Sequence, residues 1–213
     1  MKVGIIGATG KAGSLILKEA VRRGHEVTAI VRNAQKLDDS TIPTLERDIF
    51  DLTSEDLKQF DIVVNAFGVP ADKAEQHVEA GRSLIEALKG APDTRLIVVG
   101  GAGSLFVDEA KTTRLSETPE FPEAFKAIAS NQAQNLADLE HSEGIKWTFL
   151  SPAAFFDSEG RRTGHYQTGE DGFLVNKKGK SYISYADYAI ALVDEIENAK
   201  HINKRFTVVS ESK

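Results

Sequence analysis

The sequence predicts an α/β fold in which a doubly wound parallel sheet lies between two layers of helices, a three-layer α/β/α domain. Short β-branched runs alternate with longer stretches of helical apolar spacing from the first residue to about Leu150, the pattern of repeated βα units. Those runs are apolar throughout, as strands buried on both faces are. The first of them ends in a glycine-rich turn that opens directly into an amphipathic segment.

Taken in order, Val3 to Ile6 is the first strand and Val27 to Val31 the second. A shorter strand follows near Thr44 to Arg47, then Ile62 to Asn65, Leu96 to Val99, Trp147 to Leu150 and a final Phe206 to Val209. Between them, Ala12, Leu15, Ile16 and Ala20 mark one helical face, and Val78, Gly81, Leu84, Ile85 and Leu88 another. Gly24 and Gly90 stand just past these helices, where a left-handed residue is easiest for glycine. Phe125, Ile128, Ala129, Gln132, Leu136 and Leu139 predict a further helix ending before Gly144. The last helix is capped by Ser184 with Asp187 three residues on, and buries Tyr188, Ala189, Leu192, Val193 and Ile196. The stretches 100–122 and 152–179 break the alternation. Each follows a strand at its carboxyl end, the ligand edge of an open α/β sheet, and both are read as substrate-side loops. There is no repeat or linker, so residues 1–213 are read as a single domain.

Composition narrows the function. The chain has 213 residues and no cysteine, which removes a disulfide scaffold, a thiolate metal site and a cysteine nucleophile. Its 26 Lys and Arg against 32 Asp and Glu give a net charge of −6, without the basic footprint of a nucleic-acid binder or of a protein that lies on anionic membranes. No targeting segment or long apolar span is read, and the expected location is the cytoplasm. The five histidines show no ligand spacing, so no metal is expected.

The strongest local signal is Gly7-Ala8-Thr9-Gly10-Lys11-Ala12-Gly13. Gly7 lets the chain turn tightly out of the strand, Gly10 lets the backbone approach a pyrophosphate, and Gly13 permits close helix-to-strand packing. The helix amino terminus, from Ala12 onward, offers free N–H groups and a partial positive charge. Thr9 and Lys11 add a hydroxyl and an ammonium. The sequence thus predicts a dinucleotide site in a Rossmann-like sheet. In NAD-binding members a carboxylate at the end of the second strand takes the ribose hydroxyls, yet no Asp or Glu occurs between Val27 and Leu37. Arg32 stands there instead, and its planar fork suits a 2′-phosphate. NADP(H) is therefore expected in preference to NAD(H), the alternative being that Arg32 is a solvated surface residue. Asp48-Ile49 is placed at the adenine. Ala66-Phe67-Gly68 closes the fourth strand, and Pro152-Ala153 after the sixth is placed beside the nicotinamide.

Together with Val31-Arg32-Asn33, Asp48, Asn65 to Gly68, Val99 to Ser104 and Ser151 to Ala154, the turn makes the chain resemble an atypical short-chain dehydrogenase/reductase over nearly its whole length. It is most similar to the small bacterial NAD(P)H-binding proteins described as NADH-flavin reductases, with NmrA-like proteins and biliverdin IX-beta/flavin reductase as more distant relatives. The resemblance implies NAD(P)H binding, with a flavin as a candidate substrate. One departure stands out. The main family uses a tyrosine four residues before a lysine as its acid/base pair, but Tyr166, Tyr182, Tyr185 and Tyr188 precede Glu170, Ala186, Ala189 and Leu192. Carbonyl–alcohol chemistry by that route is not expected. A flavin or another planar electron acceptor can take hydride directly and its proton from solvent, so alignment of the two rings suffices.

Ser104 is the catalytic candidate, a hydrogen-bond donor to the acceptor, with a loop-capping hydroxyl as the alternative. Phe67, Phe106, Phe155 and Phe156 are candidates for an apolar floor or for core packing, and His165 and Tyr166 for a lid. Two functions stay open: an NAD(P)H-dependent reductase of a small planar acceptor, and a non-catalytic NADP(H) sensor of the NmrA-like kind. The oligomeric state is left open, a homo-oligomer included.

Overall fold

The computed structural model describes residues 1–211. In chain order the elements are β1 (Lys2–Ile6), α1 (Lys11–Arg22), β2 (Glu26–Val31), β3 (Thr44–Glu46), α2 (Ser54–Leu57), β4 (Ile62–Asn65), α3 (Gln76–Lys89) and β5 (Arg95–Val99). Then come α4 (Glu123–Glu140), β6 (Lys146–Ser151), β7 (Phe155–Asp157), β8 (Gln167–Gly169), β9 (Tyr182–Ser184), α5 (Tyr185–Asn198) and β10 (Lys204–Val209). The main sheet has eight strands in the order β3-β2-β1-β4-β5-β6-β10-β8. All neighbours are parallel except β8, which runs antiparallel along β10. Chain order reverses between β1 and β4, so the crevice beyond their carboxyl ends is where such a sheet takes a ligand.

Two cores hold the layers together. On one face Ile16, Leu17 and Ala20 of α1 and Tyr188, Leu192 and Ile196 of α5 pack against Val3, Ile5, Ala29 and Val208. On the other, Leu84 and Leu88 of α3 and Leu136 and Leu139 of α4 cover Val63, Leu96, Trp147 and Phe149. No helix among the described residues is long and apolar enough to cross a membrane.

The predicted strands and long helices are all present, and the differences are local. Gly24 has φ +80°, as a left-handed cap should. Gly90 does not, with φ −89°. A Cβ there would lie 2.4 Å from Ser54 Oγ, whose hydroxyl donates to the Ala87 carbonyl at 2.6 Å, so close approach of α2 is what requires glycine. Ser184 Oγ accepts from the Asp187 N–H at 3.0 Å, but the buried Asp187 carboxylate does not return the bond to Ser184. It accepts instead from Thr163 N, Thr163 Oγ1 and Gly164 N, anchoring the loop before β8. Stretch 152–179 is no open loop: it contains β7, paired with β9 in a small separate sheet, and β8. It is also joined to stretch 100–122, because Phe106 N donates to the Asp171 carbonyl and Phe173 N to the Phe106 carbonyl.

Candidate functional site

The turn between β1 and α1 is built around its glycines. Gly7 has φ +75°, and a Cβ on it would fall 2.5 Å from the Ala66 carbonyl oxygen, which locks the end of β1 against the end of β4. A Cβ on Gly13 would fall 2.1 Å from the Gly7 carbonyl oxygen. Gly10 is different: it is exposed, and its Cβ would meet only that carbonyl, at 3.2 Å. It caps α1 without a side chain. Among the described residues, nothing accepts the N–H groups of Lys11, Ala12 and Gly13. Three aligned donors at the positive end of a 12-residue helix, with glycine in front, form an anion cradle that a pyrophosphate fits. Lys11 Nζ stands 3.4 Å from Ser158 Oγ and 4.0 Å from Glu159 Oε1, with the lysine and the glutamate well exposed, so it is a lightly held cation.

At the end of β2, where the sequence places the adenosine, Arg32 is exposed and without a hydrogen-bond or ion-pair partner among the described residues. A carboxylate also stands at this edge. Glu46, register partner of Val31, accepts from the Ala34 N–H at 3.0 Å; it lies twelve residues beyond Ala34, outside any scan along the second strand, and only sheet register brings it here. Asp48 Oδ1 caps the following turn by accepting from Phe50 N at 3.2 Å, leaving its other oxygen free of such a bond. The Ile49 side chain belongs to the core. Asn65 accepts from Phe67 N at 3.0 Å, fixing the Ala66-Phe67-Gly68 turn, where a Cβ on Gly68 would meet open space. The Phe67 ring lies edge-on between Phe50 and His77, and burial pushes the His77 imidazole below its ordinary pKa.

Toward the other end the predicted residues sit deeper. Ser104 is only 5% exposed, and its Oγ accepts from Arg205 Nη1 at 3.1 Å. Pro152 and Ala153 are buried at the end of β6. The four phenylalanines do not form one floor. Phe156 packs on Tyr185 and Tyr188, Phe106 bridges the two loops, Phe67 is held as above, and Phe155 alone is widely exposed, at 61%. The Tyr166 hydroxyl donates to Asp194, and burial first, then that bond, pushes it well above the ordinary range; His165 stays exposed. From α4, Gln132 lies so close to Gly101 that a Cβ there would be 2.0 Å from its Oε1.

Behind the cradle, α1 is anchored by a charged network. Glu19, 6% exposed, accepts from Arg22, Arg23 and Arg162. Hydrogen bonds from Arg22 first, then Arg23 and Arg162, overcome burial and hold its carboxyl down at about 2. Beside α1 lies a cavity of about 430 Å³ floored by Leu17, Leu37 and Ile42 and rimmed by Lys18 and Lys36. It arises because the β2-to-β3 crossover has only a three-residue 3-10 turn, Ala34–Lys36, where such a unit usually carries a helix. It shares Thr9, Gly10 and Lys11 with the cradle but lies off the crevice between β1 and β4.

A model of the NAD(P)H-binding family matches residues 7–199 of the chain. The uncharacterized protein YwnB of Bacillus subtilis (strain 168) is 65% identical over 212 residues, 100% of both chains. A solved structure from Streptococcus pneumoniae TIGR4, provisionally called an NADH-flavin reductase, is 47% identical and superposes with a TM-score of 0.93 over 99% of this chain and 100% of that one. Another, from Bacteroides thetaiotaomicron and provisionally called an epimerase, is 35% identical with a TM-score of 0.88, covering 100% and 98%.

Proposed function

Because the chain belongs to the NAD(P)H-binding family, we propose that it is an NAD(P)H-dependent reductase, with NADPH preferred, that passes hydride to a flavin or another planar acceptor. The observation that carries the reading is the cradle: three N–H groups with no acceptor among the described residues behind an exposed Gly10, together with Lys11 and an Arg32 that has no partner among those residues. The dihydronicotinamide, when bound, supplies the hydride. The chain's own part is to bind and align. Gly10 and the α1 amino terminus hold the pyrophosphate, and Asp48 and the Ala66-Phe67-Gly68 turn border the adenosine. Arg32 takes the 2′-phosphate, while Glu46 gives one carboxylate oxygen to the Ala34 N–H. Pro152, Ala153 and Ser104 close the nicotinamide end.

Helix α4 carries no tyrosine, which favours direct hydride transfer over the acid/base chemistry of an epimerase. The reductase name of the 47%-identical relative points the same way.

Two measurements test the reading. NADPH mixed with the protein and FMN should lose its absorbance faster than without protein; tight NADPH binding with no such gain would turn the reading to a redox sensor. Arg32→Ala should weaken NADPH binding by roughly 10- to 100-fold, the worth of a hydrogen-bonded charge, while leaving NADH within about 2-fold. Equal losses for both would remove the 2′-phosphate role.

A further inference from the structure

Arg205 stands just ahead of the apolar run of β10 and buries its guanidinium among residues of the two joined loops. Its Nε donates to Asp171 Oδ1 at 2.9 Å, its Nη2 to the Ser104 carbonyl at 3.3 Å, and its Nη1 to Ser104 Oγ at 3.1 Å, with Ser151 Oγ at 3.5 Å. Asp171 is tied in turn to Lys111 at 3.1 Å. One carboxylate would neutralise the buried charge; two further bonds are spent on a single serine.

The direction of those bonds matters. A guanidinium has donors only, so Ser104 Oγ is the acceptor and its own hydrogen must point elsewhere. Among the described residues no acceptor takes it. The hydroxyl is thus polarised from behind by a cation, held by a second bond at its own carbonyl, and left with one unspent donor in the turn that follows β5.

Resting on the reductase reading, we infer that Arg205 is a positioning residue that aims the Ser104 hydrogen at the hydride acceptor. The pair stands in for the tyrosine and lysine this chain lacks. It also narrows the substrate class to acceptors whose hydride adduct is an anion at oxygen or nitrogen, as with a quinone or a flavin ring. Hydride carries two electrons and one hydrogen to the acceptor and leaves the nicotinamide oxidised. The charge that develops on the acceptor's oxygen or nitrogen receives the Ser104 hydrogen bond, the serine O–H bond stays intact, and the completing proton comes from water. Donors placed in advance where charge develops act without reorganisation at the moment of reaction.

The test is a double-mutant cycle on NADPH oxidation with FMN and with menadione, using the full chain and recording kcat and KM separately. Ser104→Ala should lower kcat at least about 10-fold with KM for NADPH unchanged. Arg205→Lys keeps the charge but loses the fork; it should lower kcat several-fold in the Ser104 protein and leave it unchanged in the Ser104→Ala protein. Equal factors in both backgrounds would mean that Arg205 only holds the loops, and no effect in either would remove its role outright. Should Arg205→Lys fail to fold, Asp171→Asn loosens the same guanidinium at its Nε and must show the same background dependence. A wild-type protein that turns over, paired with a Ser104→Ala variant just as fast, overturns this inference and leaves the reductase reading standing. A wild-type protein that binds NADPH without oxidising it under either acceptor overturns both.

Discussion

Two glycine-rich turns follow strands of the same sheet, Gly7 to Gly13 after β1 and Gly100 to Gly103 after β5, and one glycine of the first is required for a different reason from all the others. In the second turn the chain itself fills the space each glycine leaves. A Cβ on Gly100 would strike the Phe149 ring at 2.1 Å, one on Gly101 would meet Gln132, and one on Gly103 would meet the Ala129 methyl at 2.6 Å. In the first turn Gly7 and Gly13 are packed in the same manner, but Gly10 faces outward, with the unpaired N–H groups of α1 behind it. A glycine whose space the protein has filled reports on packing. An exposed glycine with free donors behind it reports on something that must approach.

The two turns also differ in what supports them, and the largest predicted effect lies there. The first is open in front but anchored behind by Glu19, whose carboxyl is held at about 2 by Arg22, Arg23 and Arg162. Because the folded pKa lies below that of the unfolded chain, the stabilisation is complete above pH of about 4.5 and is lost as pH falls toward about 2. It amounts to on the order of 3 kcal/mol. Glu19→Gln should therefore be less stable than wild type by about that much at pH 7, on denaturant titration. The gap should close as pH approaches about 2. A gap that persists unchanged at low pH would mean that the loss is one of packing and not of charge.

Gly100→Ala sets the packed turn against the open one more directly. The added methyl meets a ring that is fully buried, and overpacking of this kind costs about 1–3 kcal/mol. Thermal unfolding should report that loss, while the NADPH affinity of the folded protein stays within about 2-fold because no donor of the cradle is touched. A variant of unchanged stability with impaired NADPH binding would reverse the assignment of the two turns.

Much of this was legible in the sequence, and what was not has a common cause. Seven strands and four long helices follow from apolar period and β-branched runs because those signals are local and several residues long. The strands β7, β8 and β9 and the helix α2 span three or four residues each, as β3 and β4 do, but are not read from the sequence, and exist because of partners far along the chain. The three glycines of the first turn and Arg32 could be placed from spacing alone. Glu46 could not, since only the register of β2 with β3 brings its carboxylate beside Ala34. Nor could the Arg205 cluster, whose members lie 101 and 34 residues from the arginine. A signal for it was present all the same: a charged residue just ahead of the apolar run Phe206 to Val209, at a position the strand buries. The reading of Gly90 failed differently, because a left-handed cap and a close neighbour both call for glycine and sequence does not tell them apart.

That ambiguity is what Gly10→Ala resolves for the cradle, and it carries the smallest expected change in stability. The backbone at Gly10 is extended, with φ −79° and ψ 168°, so alanine adopts it without strain, and the new Cβ meets only the Gly7 carbonyl, at 3.2 Å. Replacing a glycine cap by alanine should cost about 0.5–1 kcal/mol, a shift of a few degrees in melting temperature. On the proposed reading the methyl nevertheless crowds the approach of a pyrophosphate to the α1 N–H groups. NADPH affinity should fall about 10-fold or more, equivalent to about 1.4 kcal/mol, measured by fluorescence titration of the nicotinamide. If Gly10→Ala instead lost stability as Gly100→Ala does and kept its affinity, the first turn would be a packed turn like the second, and the cradle would lie elsewhere along the sheet edge.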